Sequence, residues 1–290
     1  MLKFQPLPGT IGTLTESPVW DAARQALLWC DIPEGAIHEL TLASGARRHW
    51  RLPGPVGSFG LAQGQALVVA CRHDILLLDR ETGTHRVLAR LTPDARTRFN
   101  DGKVGPDGAF WVGTMDDTPA KEPIGALYRV TADGRVERKL DHIITSNGLA
   151  WLEDGRTLFH SDSRGRRLDV YDFDPQRGGI GKGRTLMRFT DETGRPDGAA
   201  TDRLGRYWSA GVTAGRLNLL SAEAGLLMSL PALVPAPTMP CFGGPDMKTL
   251  FLTSLREGLS AAALAAAPWS GGLLQARVDV EGVAVARFGG

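Results

Sequence analysis

Cysteine is scarce in this chain: three residues, Cys30, Cys71 and Cys241, are spread over 290 positions. An odd and widely spaced set is not a disulfide framework, and without a CxxC pair it does not suggest structural zinc. A reducing, cytoplasmic setting is the expectation. Histidine is also rare, with six residues, and none forms an HExxH pair. The absence of a G-x-S-x-G elbow argues against a Ser-His-Asp hydrolase. No sign of charge dominates, because the formal net charge is +1. Bulk electrostatics therefore favours neither nucleic acid nor an anionic membrane as partner. Long apolar runs are missing: Ala261 to Ala267 is far too short to cross a bilayer. The opening Met1-Leu2-Lys3-Phe4-Gln5-Pro6 lacks the apolar centre of a signal peptide.

What the chain has is punctuation and repetition. With 36 Gly and 18 Pro, it breaks into short apolar or β-branched runs such as Ala66-Leu67-Val68-Val69-Ala70 and Ile75-Leu76-Leu77-Leu78. That is the pattern of many short strands. One sequence phrase recurs. Asn147-Gly148-Leu149-Ala150-Trp151 leads through a turn to Thr157-Leu158-Phe159. Asp197-Gly198-Ala199-Ala200-Thr201 leads to Tyr207-Trp208, and Glu16-Ser17-Pro18-Val19-Trp20 to Leu27-Leu28-Trp29. Six units open on Glu16, Phe59, Asn100, Asn147, Asp197 and Cys241, which lie 43, 41, 47, 50 and 44 residues apart. A strand-rich repeat of that length is the period of a propeller blade, about four strands each. The expectation is an all-β, six-bladed β-propeller occupying residues 1–290 as one domain. Asp116 to Ile124 reads as an exposed insertion, and Glu257 to Gly272 as a segment with room for a short helix.

The first strand of each propeller blade lines the central channel, so equivalent positions converge on one axis. Four of the six openings carry oxygen, and two of these are carboxylates. Converging carboxylates repel unless a positive charge sits between them. Carboxylates with amide oxygens suit a hard divalent cation. The competing reading is that each polar residue caps its own turn, as Asn-Gly and Asp-Gly often do.

The motifs also resemble a known family. Glu16-Ser17-Pro18-Val19-Trp20, Arg98-Phe99-Asn100-Asp101-Gly102-Lys103, Gly113-Thr114-Met115, Ser146-Asn147-Gly148-Leu149, Pro196-Asp197-Gly198 and Cys241-Phe242-Gly243-Gly244 together resemble the gluconolactonase/regucalcin (senescence marker protein) family. The resemblance runs in register along nearly the whole chain. It implies a lactonase whose substrate is a small-molecule sugar lactone, with one divalent metal ion (Ca²⁺, Zn²⁺, Mn²⁺ or Fe²⁺) in the channel. The resemblance implies Glu16, Asn147 and Asp197 as metal ligands, Arg98 and Asn100 as substrate-binding residues, and Asp197 as general base. Some family members carry an acidic residue three positions after Gly-Thr-Met. Here that position is Thr118, preceded by Asp116 and Asp117, so the sugar is left open. A phosphoester or organophosphate hydrolase on the same metal site, and a non-catalytic calcium-binding propeller, are the alternatives.

Other signals carry less. Gly181-Lys182-Gly183-Arg184-Thr185 lacks the spacing of a phosphate loop and reads as a turn. Arg164-Gly165-Arg166-Arg167 reads as a solvated turn. Cys241 reads as a buried small residue, since no repeat-opening His could activate it. His142 and His160 read as structural or exposed. Trp20, Trp111, Trp151 and Trp208 read as packing between blades.

Overall fold

A computed structural model describes residues 2–91 and 94–290. Six antiparallel four-stranded sheets follow one another round a ring. Blade 1 comprises Thr15–Asp21, Ala26–Asp31, Ala36–Thr41 and Arg47–Arg51. Blade 2 comprises Val56–Leu61, Ala66–Cys71, Asp74–Asp79 and His85–Arg90. Blade 3 runs through Thr97–Val104, Phe110–Asp116, Gly125–Val130 and Val136–Ile143, and blade 4 through Ser146–Trp151, Thr157–Asp162, Arg167–Asp174 and Gly179–Arg188. Blade 5 holds Pro196–Thr201, Arg206–Gly211, Arg216–Ser221 and Gly225–Pro231. Blade 6 has Pro237–Gly243, Thr249–Ser254 and Leu274–Arg277, and takes its outermost strand, Gln5–Pro6, from the N-terminal end of the chain. The first blade segment in sequence thus closes the last blade, joining the two ends of the ring by hydrogen bonds.

The burial pattern follows from this layering. Inner strands are buried along their length, as in Thr15–Asp21, whereas an outer strand such as Gly179–Arg188 is largely exposed. Aromatic contacts bridge neighbouring blades, as the tryptophan spacing anticipated. Trp111 meets Trp151 edge-on at 6.1 Å, Trp208 meets Phe242 at 5.7 Å, and Trp20 stacks on Phe251 at 6.2 Å. A helix, Ala261–Ala266, lies in the expected segment, capped by the Ser260 side chain. Cys30, Cys71 and Cys241 are buried and free. Among the described residues no helix is long and apolar enough to cross a membrane.

Two expectations need correcting. The glycine-lysine segment 181–185 is not a turn but part of the outer strand of blade 4. Gly183 pairs with Tyr171, whose ring occupies the place a Cβ would take. The glycine there clears an aromatic side chain rather than reversing the chain. The second correction concerns register. Trp20, Leu61, Val104, Trp151, Thr201 and Phe242 face Leu27, Leu67, Phe110, Leu158, Tyr207 and Leu250 on the second strands. All six of those partners are fully buried. Four residues back from each facing residue stand Glu16, Gly57, Asn100, Asn147, Asp197 and Thr238. Gly57 and Thr238, not Phe59 and Cys241, are therefore equivalent to the other four. The cause is a register shift in every inner strand, for example between Glu16 and Val19 and between Pro237 and Pro240. Such bulges re-aim side chains, and they displace an alignment based on glycines alone.

The channel has two unlike ends. Glu16, Asn100, Asn147 and Asp197 sit near the starts of the inner strands. At their far ends the C-terminal segment crosses the ring. Val283 donates to the Thr201 carbonyl at 2.9 Å and Phe288 to that of Leu61 at 2.8 Å. A largely apolar cavity of about 440 Å³ lies there, bounded by Trp20, Trp151, Phe242 and Val285. The polar chemistry is at the opposite end from this cavity.

Candidate active site

The bulged inner strands bring two carboxylates from blades 1 and 5 into electrostatic range of each other. Glu16 is 8% exposed, while Asp197 is more open. Burial, then the charges of Asp197 and Asp101, hold the Glu16 carboxyl well above its usual range, against one hydrogen bond from the Ser17 amide at 3.1 Å. Burial and the Asp101 charge likewise push Asp197 up, opposed by Arg195. The half-buried Lys103, whose charge opposes the rise at Glu16, makes its contact elsewhere: its Nζ donates to the Ala199 carbonyl at 2.5 Å. Asp101 accepts from the Leu149 amide through Oδ2 at 3.0 Å, and its buried Oδ1 has no hydrogen-bond partner. Two buried acids, Glu16 and Asp101, and the half-buried Asp197, with one buried oxygen of Asp101 unsatisfied, make this end of the channel negative, which favours a positive charge there.

A relay of polar groups completes the rim. Arg98 Nη1 donates to Asn100 Oδ1 at 3.1 Å, and Asn100 Nδ2 donates to Asn147 Oδ1 at 3.1 Å and to the Ser146 carbonyl at 2.9 Å. Asn147 Nδ2 donates to Ser163 Oγ at 2.7 Å, and Ser163 Oγ to the Pro196 carbonyl. The Asn147 amide is thus held by both its ends, and its oxygen keeps a second lone pair. Among the described residues no group of three or more His, Cys, Asp or Glu is placed to hold a metal ion. The set implied by the motifs has two carboxylates, and its third donor is this amide.

All five residues singled out from the motifs lie at this end of the channel. Glu16, Asn147 and Asp197 stand at equivalent positions of their inner strands. Asn100 is one bond from Asn147. Arg98 reaches Asn100 while pairing with Asp117 through Nε at 3.0 Å, so it is both a channel residue and half of an ion pair. Asp116 is fully buried, and its two oxygens accept from the Thr118 and Glu122 amides at 2.8 Å each. It shapes the 117–124 loop, and Asp117 anchors that loop to Arg98.

Asp101, Lys103 and Ser163 were not singled out by sequence reasoning. The first two stand in a quoted motif, where two opposite charges within a strand otherwise bound for the core were the available signal. Ser163 had none, because its partners are Asn147 on the inner strand of the same blade and Pro196 at the entry of the next. The Gly-Thr-Met glycine also has a structural reason. A Cβ on Gly113 would collide with Ser146, whose Oγ bonds His160 Nε2 at 2.8 Å. Burial pushes His160 down to about 4, so this ring is neutral and structural. Gly113→Ala is expected to cost about 1–3 kcal/mol in urea unfolding through this overpacking.

Six four-stranded blades round one channel, with carboxylate and amide side chains gathered at one end of it, define a six-bladed β-propeller. Residues 14–256 match the family described as SMP-30/Gluconolactonase/LRE-like region, and the chain belongs to that family. It is 39% identical to a 6-deoxy-6-sulfogluconolactonase of Pseudomonas putida over 279 residues, 96% of this chain and 95% of that one. It is 34% identical to regucalcin of Sus scrofa over 266 residues, covering 90% and 89% of the two chains. A solved structure described as a calcium-binding protein, regucalcin, from Agrobacterium tumefaciens superposes with a TM-score of 0.93 at 29% identity, covering 99% of this chain and 97% of that one.

Proposed function

We propose that the protein is a divalent-metal-dependent lactonase that hydrolyses a sugar-acid lactone, an aldonolactone, to the open acid. The observation that carries the reading is the register of the inner strands, which sets Glu16, Asn147 and Asp197 at equivalent positions at one end of the channel; burial and neighbouring negative charge raise both carboxyls. The family, and the lactonase named among its relatives, supply the reaction class. Glu16, Asn147 and Asp197 would hold the ion, whose oxygen-only donor set suits Ca²⁺, Mn²⁺, Zn²⁺ or Fe²⁺. Bound there, such an ion supplies Lewis-acid polarisation of a carbonyl and lowers the pKa of water.

The chain's own residues do the rest. Asp197, the more open carboxylate, takes a proton from the attacking water as its oxygen bonds the lactone carbonyl carbon. The bond from that carbon to the ring oxygen then breaks, and the ring oxygen leaves as a hydroxyl by taking up one proton. Arg98 has spent Nε and Nη1 on Asp117, Phe99 and Asn100, and offers its remaining donors to a substrate oxygen. Asn100, expected among the substrate-binding residues, has its Nδ2 engaged by the Ser146 carbonyl and Asn147 Oδ1 and its Oδ1 by Arg98, so it holds the Asn147 amide in orientation instead.

A panel of aldonolactones read with a pH indicator, beside a phosphoester panel, each with and without chelator, tests this. Lactone turnover that chelator abolishes and divalent metal restores is expected. Phosphoester turnover alone would move the reading to a phosphoesterase, and retained metal without turnover of either class would make the site structural.

The raised carboxyls also set a pH dependence. A group with a folded pKa above its unfolded value, near 4.5 for Glu16 and 3.8 for Asp197, favours the folded state at low pH. That contribution is lost as pH rises through the folded pKa. The metal-stripped protein is therefore expected to lose thermal stability as pH rises from about 4 toward neutrality. Added metal at a hundred times its Kd should return about 2.7 kcal/mol. A stripped protein whose melting temperature is flat over that range would contradict the assignment.

A further inference from the structure

At the mouth of the channel, three consecutive blades contribute cations to one side. Arg98 is the second residue of the inner strand of blade 3, and Lys121 lies in the loop between that blade's second and third strands. Arg164 and Arg166 occupy the corresponding turn of blade 4, and Arg195 immediately precedes the inner strand of blade 5. Every one of these segments emerges at the end of the ring where Glu16, Asn147 and Asp197 sit. The bond from Ser163 Oγ to the Pro196 carbonyl ties the blade 4 turn to the entry of blade 5, which sets Arg164 beside Arg195. The charges feel one another: Arg195 lies in range of Arg164, Arg166 and Asp197, and Lys121 in range of Arg98 and Arg164.

The arc is only partly neutralised. Asp117 pairs with Arg98 at 3.0 Å and Asp191 with Arg166 at 2.7 Å. Lys121 Nζ donates to the Asp116 carbonyl at 2.8 Å, not to a carboxylate. Asp197 faces Arg195 from the channel. The Arg195 Nε is buried and has no hydrogen-bond partner, while Arg164 is exposed. Gathering like charges and leaving a buried guanidinium donor unpaired both cost stability. A neutral polyol hydroxyl could accept from that donor but would leave the gathered charge uncompensated. An anion would compensate both, and guanidinium forks match the geometry of a multi-oxygen anion.

We propose that this basic arc recognises an anionic substituent of the lactone substrate, a tetrahedral oxyanion such as a sulfonate or phosphate carried on a carbon remote from the carbonyl, with Arg195 and Arg164 determining that specificity. The proposal rests on the lactonase reading. It assigns the proposed metal ligands to the reacting carbonyl end and the arc, a blade's width to one side, to the far end of the same sugar acid. The arc is on the substrate's path, so it also steers an anion toward the channel.

The test compares kcat/KM of the metal-loaded protein for glucono-δ-lactone, its 6-phosphate and its 6-deoxy-6-sulfonate. The anionic lactones are expected to be favoured about 10- to 100-fold over the neutral one. That preference should shrink as salt is added. Comparing the two anionic lactones identifies which oxyanion the arc prefers. Arg195→Gln and Arg164→Gln are each expected to reduce the anionic-to-neutral ratio by about tenfold, chiefly through KM. Arg164 is exposed, so its replacement does not endanger folding. Equal kcat/KM for neutral and anionic lactones, or a ratio unchanged in both variants, would overturn the anion site and leave the lactonase reading standing. If no lactone were turned over, the lactonase reading would fail, and calorimetry with 6-phosphogluconate would judge the arc alone. Binding weakened by Arg164→Gln would then support the arc as an anion site, and equal binding by wild type and variant would overturn it.

Discussion

Replacing Asp197 by Asn is expected to lower kcat on every lactone substrate by about 10²- to 10⁴-fold, the usual worth of a positioned general base. Asparagine keeps the shape and one side-chain oxygen beside Glu16 and Asn147, so the channel should stay formed. What it loses is the proton acceptor and one negative charge. The same change relieves the repulsion on Glu16, whose carboxyl Asp197 helps to hold high. The variant should therefore be at least as stable as the wild type when both are stripped of metal, yet nearly inactive at saturating metal. Calorimetric titration with metal, run beside the kinetics, separates weaker ion binding from lost proton transfer. Near-normal kcat at saturating metal would remove Asp197 from the reaction.

Arg80→Met should produce the largest loss of stability, about 3–5 kcal/mol, because it strips a buried carboxylate of its counter-charge. Arg80 projects from blade 2 into blade 1 and is 1% exposed. Its Nη1 reaches Asp21 Oδ2 at 2.7 Å, and Nε with Nη2 grip Glu39 Oε2. Asp21 would keep Arg287, which bonds its other oxygen at 2.6 Å from the C-terminal segment. Glu39, 4% exposed, would be left with a buried negative charge. The melting temperature should fall by roughly 5–10 °C for a chain of this size. The pair Arg80→Met with Glu39→Met should recover much of that loss, since replacing both buried charges by apolar groups is often nearly neutral. If the double variant were no more stable than the single one, the ion pair would not be the source of the effect.

The proposed metal ligands and the basic arc had different visibility in the sequence. Glu16, Asn147 and Asp197 stood at one phase of a repeat, and repetition turns a position along the chain into a position around an axis. The arc had no such phase. Arg164, Arg195 and Lys121 lie in turns and loops of three blades, and the first of them read as a solvated turn. They meet only because those turns emerge on the same face of the ring. Arg80 was less visible still. Asp79-Arg80-Glu81-Thr82-Gly83 has the composition of a surface turn, and Asp79 does hold the Glu81 and Thr82 amides at 2.8 and 2.9 Å. Nothing local reveals that the arginine between them is buried against a neighbouring blade.

The amino-acid sequence by itself determined the number of blades, most of the strands within them, and the four oxygen-bearing side chains Glu16, Asn100, Asn147 and Asp197 that recur at one phase of the repeat. Those properties follow from short-range rules: alternation, turn chemistry and a period near 45 residues. The tertiary structure decided which residue of each inner strand faces the axis, because one bulge displaces the register without leaving a mark in composition. That is why Gly57 and Thr238 took the places expected of Phe59 and Cys241. It also decided how the ring closes, since the pairing of Gln5–Pro6 with Leu274–Arg277 joins residues from opposite ends of the chain. Contacts of that range form only when the ring is complete, so no window along the sequence contains them.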